Sequence, residues 1–405
     1  KDVNRVYAMD TFMQITLDGG TTFKRVGEKE KHVDNHALWI DPDDTDHLLI
    51  GCDGGLYESF NRGADYRFFE NLPLTQFYRV SVDTSKPFYY VYGGTQDNNS
   101  MGGPSRTLFS SGISNEDWFI TVGGDGYETQ VDPTNPNIVY SQWQYGGLVR
   151  YDRVSGENAD IQPQEAPGEP ADRWNWDSPL MISPHSPTRL YFASQRLYRS
   201  DDRGDSWTAV SPDLSRQLDR DQLPVFGKIQ SIDAVAKNMS TSDYGNIVSL
   251  SESPLVEGLL YVGTDDGLIQ VSEDGGASWR RVERVGGVAE LAYVTRLEAS
   301  LHDADTVYAA FTDFKQGDFK PYAFVSRDRG RSWSSISGDL PEREIVWALA
   351  QDHVKPELLF AGTEFGLYFT VDEGAHWTRL KGGLPTIQVR DLAIHRGETD
   401  LVLAT

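Results

Sequence analysis

The sequence predicts an all-β fold, a β-propeller built from four-stranded blades. Three observations lead to this prediction. A Ser/Thr-x-Asp-x-Gly-x-x-Trp phrase recurs along the 405 residues, with a period of roughly 43 to 70 residues, as expected for a radially repeated unit. Each repeat contains short apolar runs of strand length, separated by turn residues. No amphipathic helical pattern of comparable length competes with these runs.

Each repeat divides into four predicted strands, A to D. Strand A precedes an Asp-Pro or Ser-Pro turn, strand B is an apolar run ending near Gly-Thr, strand C resembles Gly-Leu-Tyr-x-Ser, and strand D starts at the Trp. Strands B and C with their turn are clearest in DHLLIGCDGGLYESFNRGADY, TRLYFASQRLYRSDDRGDSW, GLLYVGTDDGLIQVSEDGGASW, DTVYAAFTDFKQGDFKPYAFVSRDRGRSW and ELLFAGTEFGLYFTVDEGAHW. With two degenerate copies, the repeats predict seven blades, and eight is the alternative.

The repeats also suggest how the chain is divided. Residues 28–386 hold complete units and are interpreted as the propeller. Residues 1–27 hold a partial copy, either the end of a preceding propeller or closing strands. Residues 387–405 are interpreted as the start of a further or closing blade. The repeat is incomplete at both ends of the sequence. We therefore expect a second propeller in the full-length chain as a partner.

Composition excludes several classes of function. The net charge of −24 argues against nucleic acid as a partner, because no basic face replaces the phosphate counterions. No run of about 18 apolar residues is present, so no membrane span is expected. Cys52 is the only cysteine, which excludes an internal disulfide and a cysteine-based zinc site.

The repeated turn has a plausible local chemistry. In SDDRGDSW, Asp202 can accept backbone N–H bonds within its own turn, and Gly204 permits a positive φ where the chain reverses. Trp207 is expected to pack towards the next blade. Because these residues recur around the ring, we interpret them as structural and not catalytic. The same roles are predicted for Asp18, Asn61, Asp274, Asp328, Asp372, Trp279, Trp333 and Trp377.

These turns resemble the Asp-box, or BNR, repeats of sialidases, sortilin-type domains and xyloglucanase-like propellers. Together with DNHALWIDP, GTQDN, VGGDGY and VRDLAIH, they are similar to large secreted bacterial BNR-repeat proteins, described as sortilin-like or as glycosyl hydrolases. The resemblance covers essentially the whole chain. It implies a propeller and a secreted or periplasmic location, although this chain contains no signal peptide. The arginine triad and Tyr–Glu pair of sialidases are not evident.

Propeller topology separates the loops into two faces. The repeated C–D turns share one face with the A–B turns. The D–A connections and B–C loops form the other, which we name the irregular face because its sequence differs from blade to blade. Irregular loops on a rigid scaffold commonly carry binding. The candidate ligand-binding residues on this face are Asp34, Asn35, His36, Gln96, Asp97, Asn98, Asp125, Trp174, Trp176, Asp265, Asp266 and Arg390.

Each candidate has a structural alternative. Asp34 and His36 offer a carboxylate and an acid or base, or else satisfy backbone groups where a strand begins. The amides of Gln96 and Asn98 suit sugar hydroxyls, or else order their own loop. Trp174 and Trp176 would point the same way from an extended segment and could stack on sugars, or one ring could be buried between blades.

No cofactor is expected from the sequence. The stretch DPDDTD at residues 41–46 suggests calcium, but it lacks the glycine and distal glutamate of an EF-hand. We interpret it as a turn and leave calcium open. The GGDG stretch at residues 123–126 lacks the Lys-Ser/Thr of a phosphate-binding loop, which excludes nucleotide binding there.

Two functions follow from the sequence. The first is a secreted propeller that binds glycan or protein ligands on the irregular face. The alternative is a glycoside hydrolase of the xyloglucanase type, which the resemblance implies would place its active site between two propellers, with one aspartate from each. The sequence assigns no catalytic residues, and it leaves open whether the protein is an enzyme.

Overall fold

The structure is a computed structural model that describes residues 2–72, 75–225, 227–234, 237 and 242–405. The chain forms two compact units. Unit 1 consists of Lys1–Thr75 with Gln96–Asn98, and unit 2 consists of Gln76–Thr95 with Asn99–Thr405. This division is between compact units of the structure. The predicted boundaries at residues 27 and 386 are of another kind, because they group sequence repeats, and they remain predictions.

Unit 1 contains two antiparallel sheets, with three and four strands. The strands of the first sheet are β1 (Val6–Ala8), β2 (Gln14–Thr16) and β3 (Lys24–Arg25). The strands of the second sheet are β4 (Asn35–Ile40), β5 (Leu48–Cys52), β6 (Gly55–Ser59) and β7 (Arg67–Phe68).

Unit 2 contains six four-stranded sheets and one two-stranded sheet. The first three are formed by β8 (Arg79–Val82), β9 (Tyr90–Gly94), β10 (Ser100–Pro104) and β11 (Phe119–Val122); by β12 (Gly126–Val131), β13 (Ile138–Trp143), β14 (Gly147–Asp152) and β15 (Asn158–Asp160); and by β16 (Leu180–Ile182), β17 (Leu190–Ala193), β18 (Leu197–Ser200) and β19 (Thr208–Ala209).

The remaining sheets of unit 2 follow in chain order. They are formed by β20 (Ile247–Glu252), β21 (Leu260–Thr264), β22 (Ile269–Ser272) and β23 (Arg280–Val282); by β24 (Tyr293–Ala299), β25 (Val307–Asp313), β26 (Asp318–Ser326) and β27 (Ser334–Ser335); by β28 (Val346–Gln351), β29 (Leu359–Thr363), β30 (Gly366–Thr370) and β31 (Thr378–Arg379); and by β32 (Asp391–His395) and β33 (Asp400–Ala404).

The all-β prediction is confirmed. Every sheet pairs strands that follow one another in the chain, and all of the pairs between consecutive strands are antiparallel. The helices of the described residues are three single 3₁₀ turns, at Asn115–Asp117, Arg220–Gln222 and Phe314–Gln316. In the described part of the chain, no helix has the length and apolar character needed to cross a bilayer.

The sheets of unit 2 contact one another through their first strands. β8 contacts β12, and the series continues through β16, β20, β24, β28 and β32. The last of these, β32, contacts β8 again. The first strands therefore lie together at the centre of unit 2, and the later strands of each sheet lie further out.

The hydrophobic core of unit 2 lies between neighbouring sheets. One cluster joins Tyr261 and Ile269 of one sheet to Leu297, Val307 and Phe311 of the next. Equivalent clusters occupy the neighbouring gaps. Burying a side chain of this size stabilises the fold by roughly 1.5–3 kcal/mol. Each sheet thus shares buried apolar clusters with its neighbours.

Close backbone contact also joins the sheets. A Cβ on Gly94, at the end of β9, would overlap with the backbone nitrogen of Tyr127 in β12. Glycine is therefore required at this position, because the two strands approach without an intervening side chain.

A register shift recurs where the first strands begin. It lies between the first and third residues of β4, β20 and β28, and between the second and fourth residues of β24. Such bulges re-aim the side chains that follow them.

Candidate functional site

The repeated turn is stabilised by hydrogen bonds within its own residues. The Oγ of Ser200 donates to Oδ1 of Asp202 (2.8 Å) and accepts from the N–H of Gly204 (2.8 Å). The carboxylate of Asp202 accepts from the backbone N–H (2.9 Å) and the Oγ (2.6 Å) of Ser206. The Ser206 hydroxyl, followed by its N–H, lowers the pKa of Asp202 to about 2. Gly204 has a φ of 89°.

The other turns use the same bonds. In each, a Ser or Thr hydroxyl bonds the acidic or amide side chain two residues later, and that side chain accepts a backbone N–H four residues further on. The central residues are Asp18, Asn61, Asp274, Asp328 and Asp372. Their polar atoms are engaged locally, at separate places along the chain.

The indole rings of the turns lie against the preceding sheet, not the next one, which corrects the expected direction. The Nε1 of Trp207 donates to the backbone oxygen of Ile161 (2.7 Å), and that of Trp377 donates to Ile336 (2.8 Å). Trp279 reaches Val210 (3.3 Å) in the same way. Trp333 packs against the core cluster formed with the preceding sheet. Ile161, Val210 and Ile336 each directly follow the last strand of the preceding sheet, so the acceptor for each indole lies on that side of the turn.

A group of three aspartates, which we name the carboxylate cluster, lies in unit 1. Asp34 precedes β4, Asp53 lies in the turn between β5 and β6, and Asp97 lies in the connection between β9 and β10. One carboxylate oxygen of each lies within 4.8 Å of the others. Asp34 and Asp97 both have positive φ values, 58° and 59°, a region that Asp tolerates better than most residues.

Polar side chains surround Asp53 in this cluster. The Nε2 of His36 contacts Oδ1 of Asp53, and the Nε2 of Gln96 donates to Oδ2 (3.4 Å). The amide of Asn98 donates to the backbone oxygen of Asp53 (3.2 Å). The side chain of His36 is 69% exposed and that of Asp53 is 17% exposed. The carboxylate cluster and His36 are therefore accessible to solvent. Carboxylate oxygens are also ligands that hard divalent cations prefer.

Sequence reasoning named every member of this group except Asp53. The two stretches DNH and QDN come together, as their shared place on the irregular face suggested. Asp53 lies in a short Cys-Asp-Gly-Gly turn that resembles an ordinary hairpin. Its position between strands B and C was the signal that could have found it, because Gln96 and Asp265 occupy the same place in other repeats.

Asn35 has a structural role within unit 1. It is buried, and its Nδ2 donates to the backbone oxygens of Asp10 (3.1 Å) and Thr11 (3.2 Å) and to Oε1 of Glu28 (3.1 Å). Its Oδ1 accepts from the Nζ of Lys31 (2.5 Å). The amide thus joins the beginning of β4 to two earlier segments. Asn35 therefore has the structural role and not the ligand-binding one.

Three candidate carboxylates of unit 2 lie in its loops. Asp125 is buried just before β12. Asp265 is buried and accepts from the N–H groups of Gly245 (3.0 Å) and Asn246 (2.8 Å). Burial raises the pKa of Asp265 to about 7. Asp266 accepts from the N–H of Arg216 (2.7 Å). Asp265 and Asp266 therefore hold loop backbone in place.

The two candidate tryptophans do not form a paired stacking platform. Trp174 stacks on Phe192 at 5.0 Å between ring centroids and belongs to the core between two sheets. The ring of Trp176 meets Tyr145 edge to face at 5.0 Å. The segment that carries them is not a strand, so the alternation that would align the two rings is absent from it.

Arg390 directly precedes β32, with its guanidinium 4.3 Å above the ring of Trp347. The Nε1 of Trp347 in turn donates to Glu364 (2.9 Å), which also accepts from Gln388 (2.8 Å). A cation above an indole is stabilised by the ring quadrupole. Arg390 is thus fixed by contacts within unit 2.

A buried charged network at the centre of unit 2 was not found from the sequence. Asp391 bonds Arg296, accepts from the N–H of Val80 (3.1 Å) and lies 3.7 Å from Arg79. Arg79 donates to the hydroxyl of Tyr127 (2.8 Å). These residues belong to distant repeats, so no local pattern unites them. Burial raises the pKa of the neighbouring carboxyls Glu128 and Glu298.

The central network surrounds little open space. A cavity of about 30 Å³ is lined by Arg79, Glu128 and Arg296, among others. This volume holds a water molecule and is too small for a sugar. Among the candidate residues, only the group in unit 1 combines several convergent polar side chains with access to solvent.

Comparisons with known proteins find distant similarities only. No family model matches the chain. Among solved structures, the GH74 xyloglucanase from Xanthomonas campestris is 16% identical with a TM-score of 0.34, covering 96% of this chain and 67% of that one. The GH74 enzyme of Niastella koreensis is 13% identical with a TM-score of 0.29, covering 98% and 73%. The computationally designed Ika8 protein is 12% identical with a TM-score of 0.45, covering 92% and 93%.

A curated relative gives a sequence match. Over 241 residues the chain is 24% identical to the oligoxyloglucan-reducing end-specific xyloglucanase of Emericella nidulans. The match covers 54% of this chain and 25% of that protein, so the chain spans about a quarter of this relative's length. The chain is distantly homologous to a xyloglucanase.

Proposed function

We propose that the chain is part of a secreted β-propeller glycoside hydrolase that acts on xyloglucan or a similar glucan. The observation that carries this proposal is the convergence of Asp34, Asp53 and Asp97 beside His36, in a chain distantly homologous to a xyloglucanase. Glycoside hydrolysis is performed by paired carboxyl groups. The proposal therefore requires no cofactor.

Within this proposal, Asp53 is the residue of the cluster that acts on the glycosidic bond. His36 of β4 and Gln96 of the loop between β9 and β10 hold its two carboxylate oxygens, which fixes its orientation. Inverting glycosidases separate their two carboxyl groups by about 6.5–9.5 Å, more than the 4.8 Å that encloses the cluster. In an inverting reaction, the cluster would supply one carboxyl group and a second propeller would supply the other.

Unit 1 carries a feature that supports further propeller sheets in the full-length protein. Trp39 and Ile40 of β4 are 46% and 38% exposed, although the first strands β20 and β28 of unit 2 are largely buried. A first strand with exposed apolar side chains is suited to packing against neighbouring sheets. We assign unit 1 to such a propeller.

We assign unit 2 to a seven-bladed propeller and its repeated turns to the Asp-box type. The return of the first-strand contacts from β32 to β8 supports this blade count. The shared bonding of Asp202, Asp274 and Asp328 supports the turn type.

A second candidate function is binding of a glycan or protein without cleavage. The amides of Gln96 and Asn98 beside Asp53 favour it, because amides and carboxylates together both donate to and accept from sugar hydroxyls. The site is the same in both proposals, and only the fate of the ligand differs.

Release of reducing ends from xyloglucan by the full-length protein tests the proposal. Wild type is expected to release them, and Asp53→Asn is expected to lower the rate by about 10²-fold or more, the range of general acid–base catalysis. Asp43→Asn is a matched control, because it changes the same residue type in the turn between β4 and β5 at the other end of the sheet. The control should retain the wild-type rate.

Two results would contradict hydrolysis at this cluster. Unchanged activity of Asp53→Asn would place the chemistry elsewhere. Binding of xyloglucan oligosaccharides without any release of reducing ends, weakened by Asp53→Asn, would instead support the binding function.

A further inference from the structure

We propose that unit 2 carries a separate pocket for a neutral sugar, on the irregular face beside the sheet β16–β19. The pocket has a volume of about 340 Å³, within the range of small-ligand sites, roughly 300–1,000 Å³. It is lined by Pro170, Ala171, Arg173, Gln195, Arg196, Ser211, Pro212 and Asp213. This site lies in unit 2 and includes no residue of the carboxylate cluster, so it goes beyond the proposed function.

Three connections of one sheet form the pocket. Residues 170–173 precede β16, residues 194–196 join β17 to β18, and residues 211–213 follow β19. In an antiparallel four-stranded sheet, these connections all lie at the same end. The repeated turn at Asp202 lies at the other end, where the N–H of Arg203 donates to the oxygen of Thr188 in the turn between β16 and β17 (3.0 Å).

The pocket is held in shape before any ligand arrives. The side chain of Asp172 is fully buried and accepts from the Nε2 of Gln195 (2.7 Å) and the hydroxyl of Tyr198. The Oε1 of Gln195 accepts from the N–H of Arg173 (2.7 Å). These bonds fasten the loop before β16 to the loop before β18. A preformed pocket avoids the cost of ordering loops on binding.

Arg173 fastens the loop before β16 to the loop after β19 and to Gly245. Its Nη2 donates to Asp213 (2.8 Å), Ser215 (3.2 Å) and the oxygen of Gly245 (3.0 Å). Its Nε is buried and has no hydrogen-bond partner within the described ranges of the chain. A buried donor without a partner is costly. The three bonds of its Nη2 hold the guanidinium in the wall of the pocket.

The lining favours an uncharged sugar. Arg173 is paired with Asp213 (2.8 Å), and Arg196 with Glu169 (2.7 Å), so each guanidinium already has a carboxylate. An anionic ligand would compete with these carboxylates. The exposed Pro170, Ala171 and Pro212 offer apolar contact to the C–H face of a pyranose ring. The remaining polar groups both donate to and accept from hydroxyls.

Calorimetric titration of the full chain tests the pocket. The probes are cellotetraose and a xyloglucan heptasaccharide as neutral sugars, and trigalacturonate as the acidic one. Ala171→Trp should fill the pocket and raise the Kd for the neutral probes by about tenfold or more. Ala171→Leu, a smaller obstruction, should raise it less. Ala277→Trp, at an exposed position of a repeated turn, is the matched control and should leave the Kd unchanged.

Each remaining outcome would overturn the proposal. These outcomes are no binding of either neutral probe, equal binding by wild type and folded Ala171 variants, and tighter binding of trigalacturonate. Circular dichroism establishes which variants fold. Neutral-sugar binding that Asp53→Asn preserves and Ala171→Trp abolishes would support this pocket even if no hydrolysis occurs, so the two proposals fail separately.

Discussion

The Nε1 of Trp207 donates a 2.7 Å hydrogen bond to the backbone oxygen of Ile161, a residue that directly follows the last strand of the preceding sheet. Trp377 and Ile336 repeat this relationship at 2.8 Å. The bond joins a turn of one sheet to the outer edge of the sheet before it. The repeated turn therefore has two roles, reversing its own chain and fastening neighbouring sheets.

The first prediction separates these contributions at Trp207. Trp207→Phe should retain most of the ring packing but lose the bond to Ile161, destabilising the protein by about 1 kcal/mol. Trp207→Ala also removes the packing and should cost about 3 kcal/mol or more. Urea unfolding followed by far-ultraviolet circular dichroism measures both. Equal losses for the two variants would show that the indole bond, and not the ring, dominates.

The second prediction concerns acid sensitivity. The pKa of Asp202 is lowered to about 2 by the hydroxyl and N–H of Ser206, compared with about 3.9 in an unfolded chain. Its stabilising effect is therefore fully present above about pH 4 and is lost as the pH falls towards 2. Asp202→Asn should lower the Tm at pH 6 and have a smaller effect near pH 2.5.

Asp43→Asn serves as the control for this pH series. Thermal unfolding of the three proteins across the same buffers gives the comparison. A difference between wild type and Asp202→Asn that stays constant between pH 6 and about pH 2.5 would contradict the linkage.

Much of this local structure could be predicted from the sequence because its causes are local. A hydroxyl, an acidic or amide side chain and a glycine at fixed spacing form the turn wherever they occur, as at Asp274 and Asp372. Short apolar runs between turn residues likewise predicted the strands. The predicted packing direction of Trp207 was wrong. This direction depends on which sheet lies beside the turn and not on the residues of the turn itself.

The third prediction has the opposite pH dependence. Burial raises the pKa of Asp265 to about 7, so the folded state retains a proton that the unfolded state releases near pH 3.9. Stability from this residue therefore falls as the pH rises from about 4 to about 7, and then levels off. Asp265→Asn keeps an oxygen for the N–H groups of Gly245 and Asn246. Its Tm relative to wild type should increase between pH 5 and pH 8.

Parallel Tm profiles for Asp265→Asn and wild type over that interval would contradict the third prediction. Asp43→Asn again provides the reference, since it lies in an exposed turn.

The fourth prediction concerns the centre of unit 2. Asp391→Ala leaves the guanidinium groups of Arg79 and Arg296 without their shared carboxylate. Removing one partner of a buried charged network costs about 3–5 kcal/mol. Asp391→Asn keeps an oxygen for the N–H of Val80 and should cost less. Denaturant unfolding measures both, and a cost below 1 kcal/mol for Asp391→Ala would show that the two arginines are satisfied by other groups.

The central network and Asp53 could not be predicted for a common reason. Arg79, Arg296 and Asp391 lie in three different repeats, and only the contacts among first strands bring them together. Asp34, Asp53 and Asp97 likewise come from three separate connections. The sequence places such residues on the same face, whereas their distances depend on the tertiary arrangement of the loops.

The direction of the tryptophan bonds has a consequence for synthesis of the chain. Trp207, Trp279 and Trp377 each reach back to a residue that the ribosome has already made. When a new sheet has been translated, the acceptor residue for its tryptophan is therefore already present in the preceding sheet. Because chains fold progressively from the N-terminus during translation, these bonds allow unit 2 to grow one secured sheet at a time.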